Sequence, residues 1–534
     1  MEIKVVLKNN TGFKWYSKNG IFVKGFAFHK NENFYEKEEL VNLFDNINSL
    51  DNFEKILKNL NGSYAIIIQK KNKLFSAVDR LRSIPLFYSQ DGDYLSITDT
   101  IEFNSQTIDE NTPEYYEFLL SGYTINESTL SKEFKQIQSS EIIMFNDNQL
   151  SRKQYFKHTH QDYLSVDYKS YYDDLNCITD NFTKRLIHSV GEKTIVLPLS
   201  GGYDSRYILA ALKRHNFTNV ICYTYGNSKS FEVSIAKQVA YTLGYKIHII
   251  EYTEEKWSKL LDNDKFIEYV NYSFNYSSLP HIQDFIALEE LTTKKLIPSD
   301  SVIVPGFCGD LLGGSYIPIE IKENKVNQLL NINLAEYIQK KHFSNLLMRI
   351  PEKIKNNLLI KIRKNIICKD INNLEEFISL NESFFTEHKV SKFVVNALRP
   401  YEFFGFEWRM PLWDNELMEY WYKVPYKHRM DNKLYNDFLF DDLFQDYKID
   451  IKKSKPISHN KFILSIRRLL PKFLYSIFQK AYHGFLNIIK DKDVNNFGEF
   501  GSSINKDLQT STINANNING LFAVWLLSRI LDKK

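Results

Sequence analysis

At 534 residues the chain is longer than one ordinary core can organise, which predicts two or three domains. With 43% hydrophobic and 25% charged residues it reads as folded rather than disordered. Lys and Arg number 68 against 65 Asp and Glu, a formal charge of +3, and this excludes a global electrostatic case for a nucleic-acid partner. Cys177, Cys222, Cys308 and Cys368 lie far apart with no CxxC pair, so neither a zinc site nor a disulfide framework is indicated. No run of about 18 apolar residues and no signal-like apolar stretch after Met1 is present, and the expectation is a cytoplasmic protein. The abundance of Lys, Asn and Ile suggests a bacterial genome poor in G and C.

Residues 1 to about 105 hold short strand-like runs: "IKVVL", "IFVKGFAF", "SYAIIIQ", "KLFSAV", "LFYS" and "YLSIT". Asn19-Gly20 and Asp91-Gly92 punctuate them as turns, and one helical stretch, roughly Lys37 to Leu60, interrupts them. This predicts an α+β unit, closed by the polar extended passage Glu141 to His160. From Tyr168 the pattern changes to strand "TIVLPL", helix Ser205 to His215, strand "VICYTYG", helix Phe231 to Leu243 and strand "YKIHII". Such alternation predicts a parallel, doubly wound sheet. A further apolar run, "SVIVPGFCGDLLGG", follows, and after Asn324 the chain reads as Leu-, Phe- and Lys-rich helices packed on that sheet. The tail from Lys461 carries a basic amphipathic stretch. It reads as two helices separated by Pro471 with Arg467, Arg468, Lys472 and Lys480 solvated, or as a membrane-surface or partner contact.

The most informative stretch is "TIVLPLSGGYDSRYILAALK", Thr194 to Lys213. A buried strand feeding a turn and then a helix puts the helix N-terminus at the carboxyl edge of the sheet, where α/β proteins bind ligands. Gly201 and Gly202 let backbone N–H groups approach an anion, and Ser200 and Ser205 add hydroxyl donors. A simple oxyanion would not favour Asp204, whereas a polyphosphate carrying Mg²⁺ would, through a carboxylate on the metal. No GK[ST] follows, so this is not a Walker loop.

"LSGGYDS" resembles the pyrophosphate loop of the ATP pyrophosphatases, and other stretches narrow the resemblance to asparagine synthetases. "VPGFCGDLLGGSY" (Val304 to Tyr316) is similar to that family's second nucleotide motif. "RPYEFFGFEWRMPLWDNELMEYWYKVPYKHRM" (Arg399 to Met430) is similar to its ExRxPFLD segment. "LNGSYAIIIQKKNKLFSAVDRLRSIPLFYS" resembles the class II amidotransferase core that precedes the synthetase half. The resemblance spans roughly residues 50 to 456 in order and implies three units. These are a degenerate, Ntn-type amidotransferase sandwich over 1–158, a doubly wound ATP pyrophosphatase domain with added helices over 159–456, and a helical extension over 457–534.

The departures are as informative. The family's glutaminase nucleophile is an N-terminal cysteine, but residue 2 is Glu2 and the first cysteine is Cys177, so no glutamine hydrolysis is expected. The acidic residue after the second motif's first glycine is Phe307, and Leu311 replaces the glutamate after Asp310. By resemblance Asp310 joins Asp204 on Mg²⁺, and Tyr225 and Gly306 border the nucleotide through their backbones. Glu407 is a candidate base in place of Phe307, although with Arg409 it reads equally as a buried ion pair. The lysine that stabilises the adenylate is matched best by Lys455, with Lys453 as fallback.

The expectation is therefore an ATP- and Mg²⁺-dependent, AMP-forming carbon–nitrogen ligase acting on a small-molecule carboxylate such as aspartate, or on a sugar carboxylate in surface-polysaccharide biosynthesis. Ammonia or an amine is the nitrogen donor. An intramolecular amide former similar to β-lactam synthetases or lasso-peptide cyclases, and a non-catalytic nucleotide-binding scaffold, are the alternatives. The oligomeric state is not legible.

Overall fold

The computed structural model describes residues 2–92, 94–103, 107–322, 333–346, 351–366, 371, 373–452, 495–509 and 515–531, the side chains of Asp310, Lys322 and Asn365 aside. Lys453, Lys455 and the amphipathic stretch after Lys461 lie outside the described residues.

The run "AIII" at 65–68 sets the architecture of the N-terminal half. It lies within the strand Leu60–Lys70, the centre of a seven-stranded sheet that takes in Ile21–His29, Lys73–Val78, Glu141–Asn146 and Gln149–Gln154. Successive side chains point to opposite faces of a strand. Ala65 and Ile67 accordingly join a core with Phe87, Leu95 and Ile97 from a second, four-stranded sheet, while Ile66 and Ile68 pack on Leu40, Phe44, Phe53 and Leu57. Both faces are therefore covered, which is why the run 65–68 is apolar at successive positions rather than alternating. The covering helices are two, Lys37–Asn42 and Leu50–Lys58, where the sequence predicts one from Lys37 to Leu60. Ser49 caps the second by accepting from Asn52 N–H, and Leu60 already belongs to the strand. Asn19 and Gly20 both take positive φ, as a tight turn between Trp15–Lys18 and Ile21–His29 requires.

The second half is built on five parallel strands in the order Lys246–Glu251, Val220–Gly226, Ile195–Pro198, Val302–Ile303, Glu407–Trp408. The chain leaves Ile195–Pro198 toward one side, adds two strands, and then crosses to the other. The switch of direction falls between Ile195–Pro198 and Val302–Ile303, the position at which open α/β sheets leave a crevice at their carboxyl ends. The helices Tyr203–Arg214 and Phe231–Leu243 and the three predicted strands are all present. The strand Glu407–Trp408 is an addition, too short for any periodicity to show it.

The two halves share one hydrophobic cluster, running from Phe13 and Phe26 through the parallel sheet to Trp525. Polar ties cross the same junction: Asn61 donates to Asp414, Arg399 to the Ser83 carbonyl, and Lys392 to the carbonyls of Thr124 and Asn126. A buried triad anchors the passage between them. Both Arg429 terminal nitrogens donate to the two Glu382 oxygens at 3.0 Å, and His160 Nε2 lies 3.0 Å from Glu382 Oε2. Burial and the Arg429 charge lower the His160 pKa, so its imidazole is neutral near pH 7. Burial alone would raise the Glu382 pKa, but Arg429 and His160 outweigh it and bring it down to about 2.

The Glu382 carboxyl is depressed in the folded state, so its stabilisation is complete above the unfolded value of 4.5 and is lost as pH falls toward 2. Thermal denaturation between pH 6 and pH 2.5 should therefore show a steep loss of stability. Glu382→Gln should remove part of that pH dependence while lowering stability at pH 7 by about 3 kcal/mol, because Arg429 is left buried and unpaired.

Candidate functional site at the sheet's carboxyl edge

The apolar strand Ile195–Pro198 passes through Leu199 and Ser200 into the helix Tyr203–Arg214, whose N-cap is Gly202. Gly202 has no side chain, so no N-cap side chain bonds into this helix. The positive end of the helix dipole there favours an anion. The loop is shaped by its own serines: Ser200 N–H donates to Ser205 Oγ at 3.2 Å, and Gly202 N–H donates to Ser200 Oγ at 3.0 Å. Arg206 fixes it from behind. One terminal nitrogen donates to the Gly201 carbonyl at 3.0 Å, and the other to the carbonyls of Ile449 and Ile451 at 3.0 and 2.7 Å. Burial pushes the Arg206 pKa down to about 10, which still leaves it charged at neutral pH.

A solvent-open cleft of about 740 Å³ lies over this loop, bordered by Ser200, Ser205, Tyr225, Asp284, Gly306 and Asn495. Close approach explains two of the glycines. A Cβ on Gly306 would stand 2.6 Å from Ser205 N, and one on Gly201 would stand 3.1 Å from Glu232 Cα. The second motif is thus pressed against the helix N-terminus, and only glycine at 306 permits it.

Among the residues singled out from the sequence, Ser200, Gly201, Gly202, Asp204, Ser205, Tyr225 and Gly306 come together at this edge. The Asp204 carboxylate accepts from Tyr435 OH at 2.7 Å, and a Cβ on Gly309 would lie 2.3 Å from the same hydroxyl. The backbone next to Asp310 therefore converges on the group that orients Asp204, while the Asp310 side chain lies outside the described residues. Among those residues no three His, Cys, Asp or Glu side chains cluster closely enough to hold a metal unaided. A nucleotide-borne Mg²⁺ requires only one or two carboxylates, so the Asp204 donor fits such an ion.

Glu407 and Arg409 form the ion pair that the sequence also allows, at the other edge of the sheet. Glu407 is in register with Val302 and, through it, with Ile195, at the start of the strand whose other end carries the loop. Ser200 is five positions beyond Ile195, roughly 16 Å along the strand direction. Glu407 instead pairs with Arg409 at 3.2 Å and Lys193 at 3.4 Å. Burial pushes its carboxyl up, but these two cations outweigh burial and hold it below the usual range. Arg409 donates to Ser189 and to the Trp408 carbonyl, and its guanidinium lies over the Phe26 ring at 4.1 Å. The pair fastens the amino edge of the sheet to the N-terminal half and has no access to the cleft.

The sequence reading missed Tyr435, Asp284, Asn495 and the carbonyl contacts of Arg206. Asn495 arrives from far along the chain. Its side-chain oxygen would lie 2.3 Å from a Cβ on Gly226, its carbonyl accepts from Trp257 Nε1, and Asn496 donates to the Tyr252 carbonyl.

A doubly wound parallel sheet with an uncapped, glycine-led helix N-terminus at its switch point defines a class of α/β proteins that bind anionic ligands at that edge. More particularly, residues 185–279, which carry the loop and the first three strands, match the family described as asparagine synthase. A search of curated proteins found no match. Among solved structures the chain is similar to an NH3-dependent NAD synthetase from Campylobacter jejuni, at 16% identity over 38% of this chain and 95% of that one, with a TM-score of 0.21. It is also similar to a U34-tRNA thiolase from Methanococcus maripaludis, at 14% identity over 42% and 78% with a TM-score of 0.19. A third likeness is to the glutamine phosphoribosylpyrophosphate amidotransferase from B. subtilis, at 12% identity over 55% and 63% with a TM-score of 0.17. Likenesses this partial carry nothing about activity.

Two substitutions separate the two edges of the sheet. Gly306→Ala drives a methyl into the Ser205 backbone, and titration calorimetry should show MgATP binding weakened at least tenfold. Glu407→Gln should leave that affinity within about twofold while lowering the thermal midpoint, since it breaks a buried pair remote from the cleft.

Proposed function

We propose that the protein is an ATP-dependent, AMP-forming amide ligase. The loop at the sheet's switch point, within the segment that matches the asparagine synthase family, is the observation that carries this reading. In the first half-reaction a substrate carboxylate attacks the α-phosphate of ATP, and pyrophosphate leaves into the cradle of Ser200, Gly201, Gly202 and Ser205. The positive N-terminal end of the helix Tyr203–Arg214 would stabilise the charge that develops there. Asp204, oriented by Tyr435 and joined by Asp310, would hold the Mg²⁺ that neutralises the phosphates. In the second half-reaction ammonia or an amine attacks the acyl carbon, the C–N bond forms, and AMP leaves with the bonding electrons. Lys455 is assigned to the negative charge of both transition states.

The N-terminal half is proposed as a degenerate amidotransferase domain retained for structure. Its share in the common core and its ties to Asp414 and Arg399 support that role. The carboxylate is proposed as aspartate or a sugar carboxylate of surface-polysaccharide biosynthesis.

ATP–pyrophosphate exchange by the purified protein with Mg²⁺, across aspartate, uronic acids and nucleotide-linked uronic acids, is the direct test. Exchange that depends on one carboxylate and falls at least a hundredfold in Asp204→Ala is expected. Binding of ATP with no exchange for any of these acids would count against a ligase and for a nucleotide-binding scaffold.

A further inference from the structure

Asp284 stands at the N-cap of the helix Phe285–Thr293, yet its carboxylate makes no capping bond to that helix. An aspartate at this position ordinarily accepts from the N–H two or three residues on, which is worth about 1 kcal/mol. Here the side chain turns away and is held elsewhere. Tyr223 OH donates to Oδ1 at 3.0 Å, Tyr225 OH lies 3.5 Å from Oδ2, and His281 Nε2 lies 3.1 Å from Oδ2. Burial, with the Asp284 charge adding to it, raises the Tyr223 and Tyr225 pKa values well above the ordinary tyrosine range, so both remain neutral donors. Tyr225 is itself braced by stacking on Tyr252, with ring centroids 4.8 Å apart. The carboxylate is only 5% exposed, and it borders the cleft that holds Ser200 and Ser205.

An anion in the wall of a cleft that takes a polyphosphate repels the phosphates unless it faces a donor on the ligand. A nucleotide offers two kinds of neutral donor, the vicinal ribose hydroxyls and the amino group of the base. Tyr223 is in register with Pro198, two positions short of Ser200 and about 7 Å back along the strand. Asp284 borders the same cleft as Ser200 and Ser205, and in a nucleotide the ribose hydroxyls stand nearer the phosphates than the base amino group does, so the ribose is the donor assigned to it. We propose that Asp284 accepts hydrogen bonds from the ribose hydroxyls of the bound nucleotide and so selects ribonucleotides over deoxyribonucleotides. This inference rests on the nucleotide reading above and assigns a specificity-determining residue within it.

Titration calorimetry of the full chain with the Mg²⁺ complexes of ATP, 2′-deoxy-ATP, 3′-deoxy-ATP and inosine triphosphate tests it. Loss of a hydrogen bond to a charged group should weaken at least one deoxy analogue by roughly tenfold to a hundredfold relative to ATP. Asp284→Asn should weaken ATP by a similar factor and abolish the discrimination, the two losses being non-additive. Equal binding of ATP and both deoxy analogues by the unmodified protein overturns the inference, with no variant needed. So does weakening confined to inosine triphosphate, or discrimination that persists in Asp284→Asn. Failure of every nucleotide to bind would instead remove the nucleotide reading itself, and this inference with it.

Discussion

A single buried guanidinium, that of Arg206, holds the loop on which the rest of the site depends. A helix N-terminus can present its N–H groups to an anion only if the turn before it stays in place, and two adjacent glycines supply little stiffness of their own. Arg206 donates to the Gly201 carbonyl and, on its other side, to Ile449 and Ile451, so the turn is tied to chain almost 250 residues later. Its charge is met by carbonyl dipoles, by the faces of Tyr203 and Phe444, and by the nearby Asp450 carboxylate. Arg206 also fixes the point from which the chain departs toward Lys453 and Lys455.

The opposite edge of the sheet is governed by a different requirement. The N-terminal half and the parallel sheet share a core, so every charge at their junction has to be paired or bonded to carbonyls. Arg409 with Glu407, Arg429 with Glu382, and Arg399 with Glu402 each satisfy this. One sheet thus carries a glycine-led loop at one edge and paired charges at the other, and the same residue types serve different purposes at the two.

Much of this was legible in the sequence wherever a signal is local. The runs at 195–198, 220–226 and 246–251 are rich in β-branched and aromatic residues and flanked by helical periodicity, and the glycine pair at 201–202 announces the loop. Contacts made across the chain were not legible. Tyr435 and Asp284 are unremarkable in sequence and gain meaning only through the hydroxyl and carboxylate partners that folding brings to them. Glu407 and Arg409 show the converse. A charged pair inside a family-like segment carries chemistry in one dimension, but which edge of a sheet it reaches is set by strand register, here by pairing with Val302 and Ile303.

Asn495 has a consequence for synthesis on the ribosome. The loop is translated before residue 206, yet one wall of its cleft is supplied some 290 residues later, after the polypeptide has passed through both sheets. A nascent chain can fold the parallel strands and form the loop while the cleft is still missing that wall. Enclosure of the cleft is thereby linked to translation beyond residue 495, and chains released before it would carry a recognisable loop without that wall.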